Sequence, residues 1–80
     1  MNNPHPGEIL YREFMQPMRL SVSRMAEKTG IPAWKVEMII RHRRNLTHPQ
    51  CRMLATALKT TPEFWRNLQT AYNAVNLVAL

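Results

Sequence analysis

Residues 20–41 constrain the fold more than any other part of the chain, because two helix patterns stand there with almost nothing between them. Ser21 is a good N-cap for a helix over residues 22–29, and Gly30 can end that helix because glycine adopts the positive φ of a helix C-terminus. A second helix, expected over about residues 33–41, must therefore begin after one short turn. Two helices joined in this way are typical of a helix-turn-helix motif.

The rest of the chain also shows helical patterns, and the alternation of β-branched residues that marks strands is missing. Three further helices are expected, over about residues 8–16, 48–58 and 62–79. Pro17 ends the first of them, the spacing of Thr47 and Gln50 is that of a capping box, and Pro62 suits a first helical position. We therefore predict a single all-α domain of five helices over residues 1–80.

Positive charge is concentrated on and just after the second helix of this motif. The chain has 11 Lys and Arg residues against 5 Asp and Glu, a net charge of +6 that is typical of a protein that binds a polyanion. Lys35, Arg41, Arg43 and Arg44 stand close together in the sequence. We predict that these side chains contact phosphate groups; the alternative is a solvated surface without a ligand.

Metal, cofactor and catalytic functions are not indicated. His42, His48 and Cys51 could form part of a metal site, but a structural zinc needs about four ligands and only His5 remains. His5 stands between two prolines and is expected to pack or cap at the N-terminus. No Gly-rich phosphate loop and no Ser, His and Asp grouping suggests an enzyme. The single cysteine, and the lack of a run near the roughly 20 apolar residues of a membrane span, favour a soluble cytoplasmic protein.

The last helix carries two apolar stripes, and only one of them can face the core. One stripe consists of Phe64, Leu68, Ala71, Val75 and Val78, and the other of Trp65, Tyr72 and Ala79. Contiguous apolar surface that stays exposed usually marks an interaction site. We therefore predict a homodimer or partner interface on this helix, with five main contributors: Phe64, Trp65, Leu68, Tyr72 and Val75.

Five stretches carry a resemblance to a known family: HPGEIL (5–10), MAEKTGIP (25–32), LT (46–47), LATAL (54–58) and TPEFWRNLQTAY (61–72). The last stretch is highly specific. Through them the chain resembles, over nearly its whole length, the HigA-type antitoxins, a branch of the phage-repressor-like (Xre) helix-turn-helix proteins. The resemblance implies five helices, a homodimer, binding of a palindromic operator that overlaps the protein's own promoter, and neutralisation of a HigB-type toxin, which is an mRNA-cleaving ribonuclease. Two alternatives stay open: a stand-alone repressor without a toxin, and a protein-interaction module that has lost operator binding.

The resemblance also implies which positions meet DNA. Residues at the positions of Ala33, Trp34 and Met38 look toward base edges. Phosphate contacts are implied near Ser21, Val22, Lys35 and Arg41, and the loop cations Arg43 and Arg44 flank the same surface.

Several positions depart from the family pattern. Val22 stands where related repressors often carry Gln, and Ala33 and Met38 cannot form bidentate hydrogen bonds, so their readout would rest on apolar contact such as a thymine methyl group. Trp34 packs on DNA, folds back on the protein, or is exposed without a role. We therefore expect backbone charge to supply affinity, while a few base contacts, DNA shape and half-site spacing supply specificity.

A smaller departure concerns the backbone. His42, Asn45 and Lys59 stand where the family tends to have Gly, which predicts positive φ angles at these positions. Asn tolerates such an angle at modest cost, and His does so less readily.

Overall fold

A computed structural model describes residues 3–78, and over that range the chain forms five helices and no strand. They are α1 (Pro6–Ile9, continued directly by a π-helical segment, Leu10–Met15), α2 (Val22–Thr29), α3 (Ala33–Ile40), α4 (His48–Leu58) and α5 (Pro62–Val78). The predicted all-α fold is confirmed. Residue 79, which was expected to end the last helix, lies outside the described residues. Between residues 3 and 78, none of the helices has the length and apolar character needed to cross a membrane.

Most helix ends lie where local capping chemistry predicts them. The Ser21 hydroxyl oxygen accepts a hydrogen bond from the Arg24 N–H at 3.1 Å. Gly30 ends α2 with φ 84°. Thr47 and Gln50 form both bonds of the predicted capping box, at 3.2 and 3.0 Å. These bonds satisfy backbone N–H groups that a helix leaves unpaired at its start, so the boundaries follow from a few neighbouring residues.

The first helix begins earlier than predicted. The Gly7 N–H donates to Nδ1 of the buried His5 side chain at 2.9 Å, and this cap starts α1 at Pro6 rather than near residue 8. The expected capping role of His5 is therefore confirmed. The helix then widens, since the Gln16 N–H donates to the Tyr11 carbonyl five residues earlier at 2.9 Å, which is a π-helical bond.

Positive φ angles occur at two of the three residues for which they were predicted. His42 has φ 63° and Lys59, which ends α4, has φ 57°. Asn45 was wrongly included, because it is not among the positive-φ residues of the described chain. Arg19 has φ 55° and was not predicted. It lies in the turn between α1 and α2, where no glycine signals the reversal.

The core lies where all five helices meet. α4 packs on α5, α2 packs on α3 and α4, and α1 packs on both α3 and α5. The α1–α3 approach is so close that a Cβ atom at Gly7 would stand 1.9 Å from the Ile39 carbonyl oxygen. The buried apolar residues are Leu10, Met15, Met25, Ile31, Val36, Ile39, Leu46, Cys51, Leu54, Ala55, Leu58 and Trp65.

The structure distinguishes the two apolar stripes of α5. Trp65 is 0% exposed, and its indole N–H donates to the Thr60 hydroxyl at 2.7 Å, so this ring belongs to the core of the subunit. The expectation that Trp65 contacts a second copy was therefore wrong. Tyr72 is half-buried, and its ring packs edge-on against His5 with centroids 4.7 Å apart.

The other stripe of α5 stays at the surface. Phe64 and Val75 are exposed, and Leu68 and Ala71 between them are half-buried. With Asn3, Pro4 and Asn67, three of these residues line a shallow groove of about 220 Å³. We call the stripe of Phe64, Leu68, Ala71 and Val75 the α5 face. Of the five residues predicted for the dimer interface, Phe64, Leu68 and Val75 lie on it.

Candidate nucleic-acid interface

Helix α3 separates its residues into a core side and a solvent side. Val36 and Ile39 are each 1% exposed and anchor the helix in the core. Ala33 and Trp34 are exposed at the first turn, and Met38 is half-buried. The side chains for which base contact was predicted therefore lie away from the core side of the helix. Trp34, at 57% exposed, does not fold back into the protein.

Arg41 forms an ion pair with an acidic side chain, and this pairing was not predicted from the sequence. Its guanidinium Nε donates to the Glu37 carboxylate one helical turn earlier. The signal was present in the sequence, because an acid and a cation four residues apart are neighbours on a helix surface. Both side chains are exposed, so the pair contributes little stability, but it offsets one of the four positive charges expected to face phosphate.

Two other cations lie against the Trp34 ring. The Lys35 Nζ atom stands 5.5 Å from the ring centroid, and the Arg44 Cζ atom stands 5.2 Å from it. Both distances are within the roughly 6 Å over which a cation is attracted by the electron-rich face of an aromatic ring. Trp34 thus brings together one cation from its own helix and one from the loop that follows. Within residues 3–78, no carboxylate forms an ion pair with Lys35, Arg43 or Arg44.

The loop that carries Arg43 and Arg44 is held at both ends, and we call residues 42–46 the α3–α4 loop. At its start, the His42 ring stacks on His5, with centroids 4.8 Å apart and planes 13° apart. The Arg43 N–H then donates to the Met38 carbonyl at 2.8 Å. At its end, Leu46 is buried.

A side chain of α5 completes this anchoring. The Leu46 N–H donates to Oε1 of the buried Gln69 at 2.7 Å, and Gln69 in turn donates to the Asn73 side chain at 2.9 Å. Neither Gln69 nor the His5–His42 stack was predicted to position the interface. Both contacts join parts of the chain that are distant in sequence, so no local pattern could indicate them.

His5 is a titratable group with an unusual environment. Its Nε2 atom is buried and has no hydrogen-bond partner among the described residues. Burial lowers the pKa of His5 below its usual value, and the neighbouring His42 lowers it further, while the Arg44 backbone and the Asn45 side chain oppose the shift. The neutral imidazole is therefore the form that fits this site, since Nδ1 must accept the Gly7 N–H.

The predicted contacts on α2 are more limited. Ser21 is exposed, and its oxygen is used as the N-cap, which leaves the hydroxyl proton available to a phosphate oxygen. Val22 is half-buried and packs against the core.

The residues considered for a metal site do not form a set of metal ligands. In the part of the chain that the structure describes, no three His, Cys, Asp or Glu side chains cluster as metal ligands would. Cys51 is buried in the core, and this burial raises the pKa of its thiol, against the opposing effect of Arg66 and Arg52. A thiol held in its neutral form is a poor nucleophile.

Comparison with known proteins identifies the family to which this chain belongs. The chain is 42% identical over 65 residues to the antitoxin HigA-1 of Vibrio cholerae, an alignment that covers 81% of this chain. The structure of antitoxin GraA superimposes with a TM-score of 0.91 at 39% identity, covering 95% of this chain and 82% of that one. The chain belongs to the HigA family of helix-turn-helix proteins.

A third relative is informative because of its ligand. The Pseudomonas aeruginosa antitoxin HigA, solved with the higBA promoter, has a TM-score of 0.94 at 31% identity and covers 98% of this chain and 85% of that one. No protein-family model matches the chain. This HigA-family chain also spans only about three fifths of the length of the curated relatives that it matches, 61% in the case of the Vibrio protein.

Proposed function

We propose that this protein is a sequence-specific DNA-binding autorepressor and the antitoxin of a HigBA-type toxin–antitoxin system. The observation that carries the DNA-binding part is the solvent side of α3, where Trp34 gathers Lys35 and Arg44 beside an anchored loop. That arrangement offers an aromatic surface and positive charge at the helix that enters the major groove in helix-turn-helix proteins. A relative of the same fold was solved with promoter DNA, which supports double-stranded DNA as the ligand.

The antitoxin part of the proposal is supported by the relatives. All three that are described above are named antitoxins: HigA-1 of Vibrio cholerae, GraA and the Pseudomonas aeruginosa HigA. We propose a HigB-type ribonuclease as the toxin and a palindromic operator at the protein's own promoter as the DNA. Two subunits would place their α3 helices in successive major grooves about 34 Å apart, so the half-sites should be separated by about one turn of DNA.

DNA binding is tested by fluorescence anisotropy with a labelled duplex from upstream of the gene and a scrambled duplex of equal length. Lys35, Arg43 and Arg44 give six cations per dimer that no described carboxylate pairs with, so the plot of log K against log salt should have a slope no steeper than about −5. The slope should be shallower than about −7, the value expected if Arg41 also contacted phosphate, because Glu37 already offsets that charge. Equal affinity for the two duplexes would contradict an operator and favour the interaction-module alternative.

Toxin neutralisation is tested by co-expression. The product of the gene beside this one should arrest growth when it is expressed alone and should co-purify with this protein when both are present. Growth should recover on co-expression. Specific operator binding without any effect on a neighbouring gene product would instead support a stand-alone repressor.

A further inference from the structure

The apolar side chains on the solvent side of α3 leave base recognition unexplained. Ala33 and Met38 have no side-chain donor that could reach the two acceptors of a guanine, O6 and N7. The indole of Trp34 has a single N–H. If the proposed DNA-binding function holds, another side chain near these positions must supply the hydrogen bonds that distinguish one base pair from another.

Arg44 is the side chain placed to do this. Its guanidinium carbon lies 5.2 Å from the centroid of Trp34, which stands at a predicted base-facing position of α3. A contact with the ring face leaves the N–H groups at the guanidinium edge free, and the planar fork of donors matches the two acceptors of guanine. Lys35 lies near the same ring, but its ammonium group is a point charge without such a fork.

The backbone around Arg44 is also fixed. The loop is anchored before it by the His5–His42 stack and the Arg43 N–H bond to Met38, and after it by the Leu46 N–H bond to Gln69. A donor on an anchored backbone, with its side chain against a ring, loses less conformational entropy on binding than a free surface arginine. Arg43, on the same loop, has no such aromatic contact among the described residues.

We infer that Arg44 reads a guanine in each operator half-site through a bidentate hydrogen bond, with Trp34 as the positioning residue that holds the guanidinium over α3. This inference rests on the proposed function. It gives the two neighbouring loop arginines different roles. Arg43 contacts phosphate whatever the DNA sequence, whereas Arg44 determines which sequence is bound.

The test is a selection of binding sites from a pool of random duplexes with the wild type, Arg44→Ala, Arg44→Lys and the charge-matched control Arg43→Ala. Both arginines are exposed, so the variants should fold, and circular dichroism checks this. The wild type and Arg43→Ala should select a guanine at the same position of each half-site. Arg44→Ala should lose that preference, and Arg44→Lys should weaken it because an ammonium group lacks the planar fork of donors. Arg44→Lys should keep the wild-type salt dependence because it keeps the charge.

A second measurement removes one acceptor from the DNA rather than the donor from the protein. With 7-deazaguanine at the selected positions, wild-type affinity should fall about tenfold, the usual scale for one good base contact. Arg43→Ala should show the same fall and Arg44→Ala almost none. For Trp34→Ala the loss of affinity should be smaller than for the wild type. For Trp34→Phe it should be close to the wild-type loss.

The outcomes separate this inference from the function on which it rests. If the wild type selects a sequence, and Arg44→Ala selects the same sequence with uniformly weaker affinity, Arg44 contacts only phosphate and the inference is overturned. If the wild type selects no sequence at all, the proposed function itself fails and the inference fails with it.

Discussion

At Gly7, the addition of a single methyl group should destabilise the folded protein strongly. Its missing side chain lets α1 touch the backbone of α3, and a Cβ atom there would stand 1.9 Å from the Ile39 carbonyl oxygen. Alanine is a better helix former by about 1 kcal/mol, but a clash with backbone cannot be relieved by rotating a side chain. Gly7→Ala should therefore lower the free energy of unfolding by about 2 kcal/mol or more, as measured by urea denaturation.

Gly30 provides the matched control for this prediction. A Cβ atom at Gly30 would meet nothing within 4 Å, but φ is 84°, so Gly30→Ala should cost about 1–2 kcal/mol through backbone conformation alone. Gly30→Asn should recover part of that loss because Asn tolerates this conformation. Gly7→Asn should recover none of the stability that Gly7→Ala loses. Equal stability of Gly7→Ala and the wild type would show that α1 and α3 can move apart freely.

The same two glycines show what the sequence can predict at the level of single residues. Gly30 was identified because a helix C-terminus is a local event, visible in the few residues around it. Gly7 gave no such signal, since its role depends on Ile39, which is distant in the chain. Caps and turns were therefore predictable, and close contacts between helices were not.

At the level of elements, α5 shows the same contrast between local features, which the sequence predicts, and contacts between helices, which it does not. Its start at Pro62 follows from local chemistry, since the Thr61 hydroxyl accepts the Phe64 N–H at 3.1 Å. Which of its stripes faces the core did not follow, because both have apolar residues at helical spacing. The structure shows which stripe is buried: Trp65 lies in the core with its ring 5.4 Å from that of Phe14, whereas Phe64 is exposed.

The link between the α3–α4 loop and α1 should make stability depend on pH. Because the folded state lowers the pKa of His5, the unfolded chain binds this proton more readily, and stability falls as pH drops below the unfolded value of 6.5. Above that value the contribution is fully present. One proton gives a slope of at most about 1.4 kcal/mol per pH unit, which urea denaturation between pH 8 and pH 5 would measure.

His5→Asn is the control for this dependence, because Asn can cap α1 but does not titrate. The variant should have a flatter profile over the same range, while His42 and His48 remain in place. An unchanged slope in His5→Asn would assign the pH dependence to another group.

For the whole molecule, the candidate DNA surface was predicted in part. The sequence and its family resemblance placed Trp34, Lys35 and Arg44 near one another, and the structure brings these side chains together. The pairing of Arg41 with Glu37 and the anchoring by Gln69 were missed. A sequence indicates which residues can carry charge, whereas the number of charges left unpaired depends on side-chain geometry.

The α5 face should hold two subunits together, because it leaves a stripe of apolar residues at the surface of a small domain. Val75→Glu would place an unpaired carboxylate in the interface of each subunit, at a cost of several kcal/mol, and should weaken dimerisation at least about a hundredfold in sedimentation equilibrium. Met53→Glu is the matched control, since Met53 on α4 is 39% exposed, as is Val75, and lies off the α5 face. It should leave the dimer intact.

Both variants should keep the wild-type circular dichroism melting curve at concentrations where the wild type is monomeric, because neither side chain is buried. If Val75→Glu and Met53→Glu had the same effect on dimerisation, the interface would have to be sought on another surface, and the one-turn spacing of the half-sites would lose its structural basis.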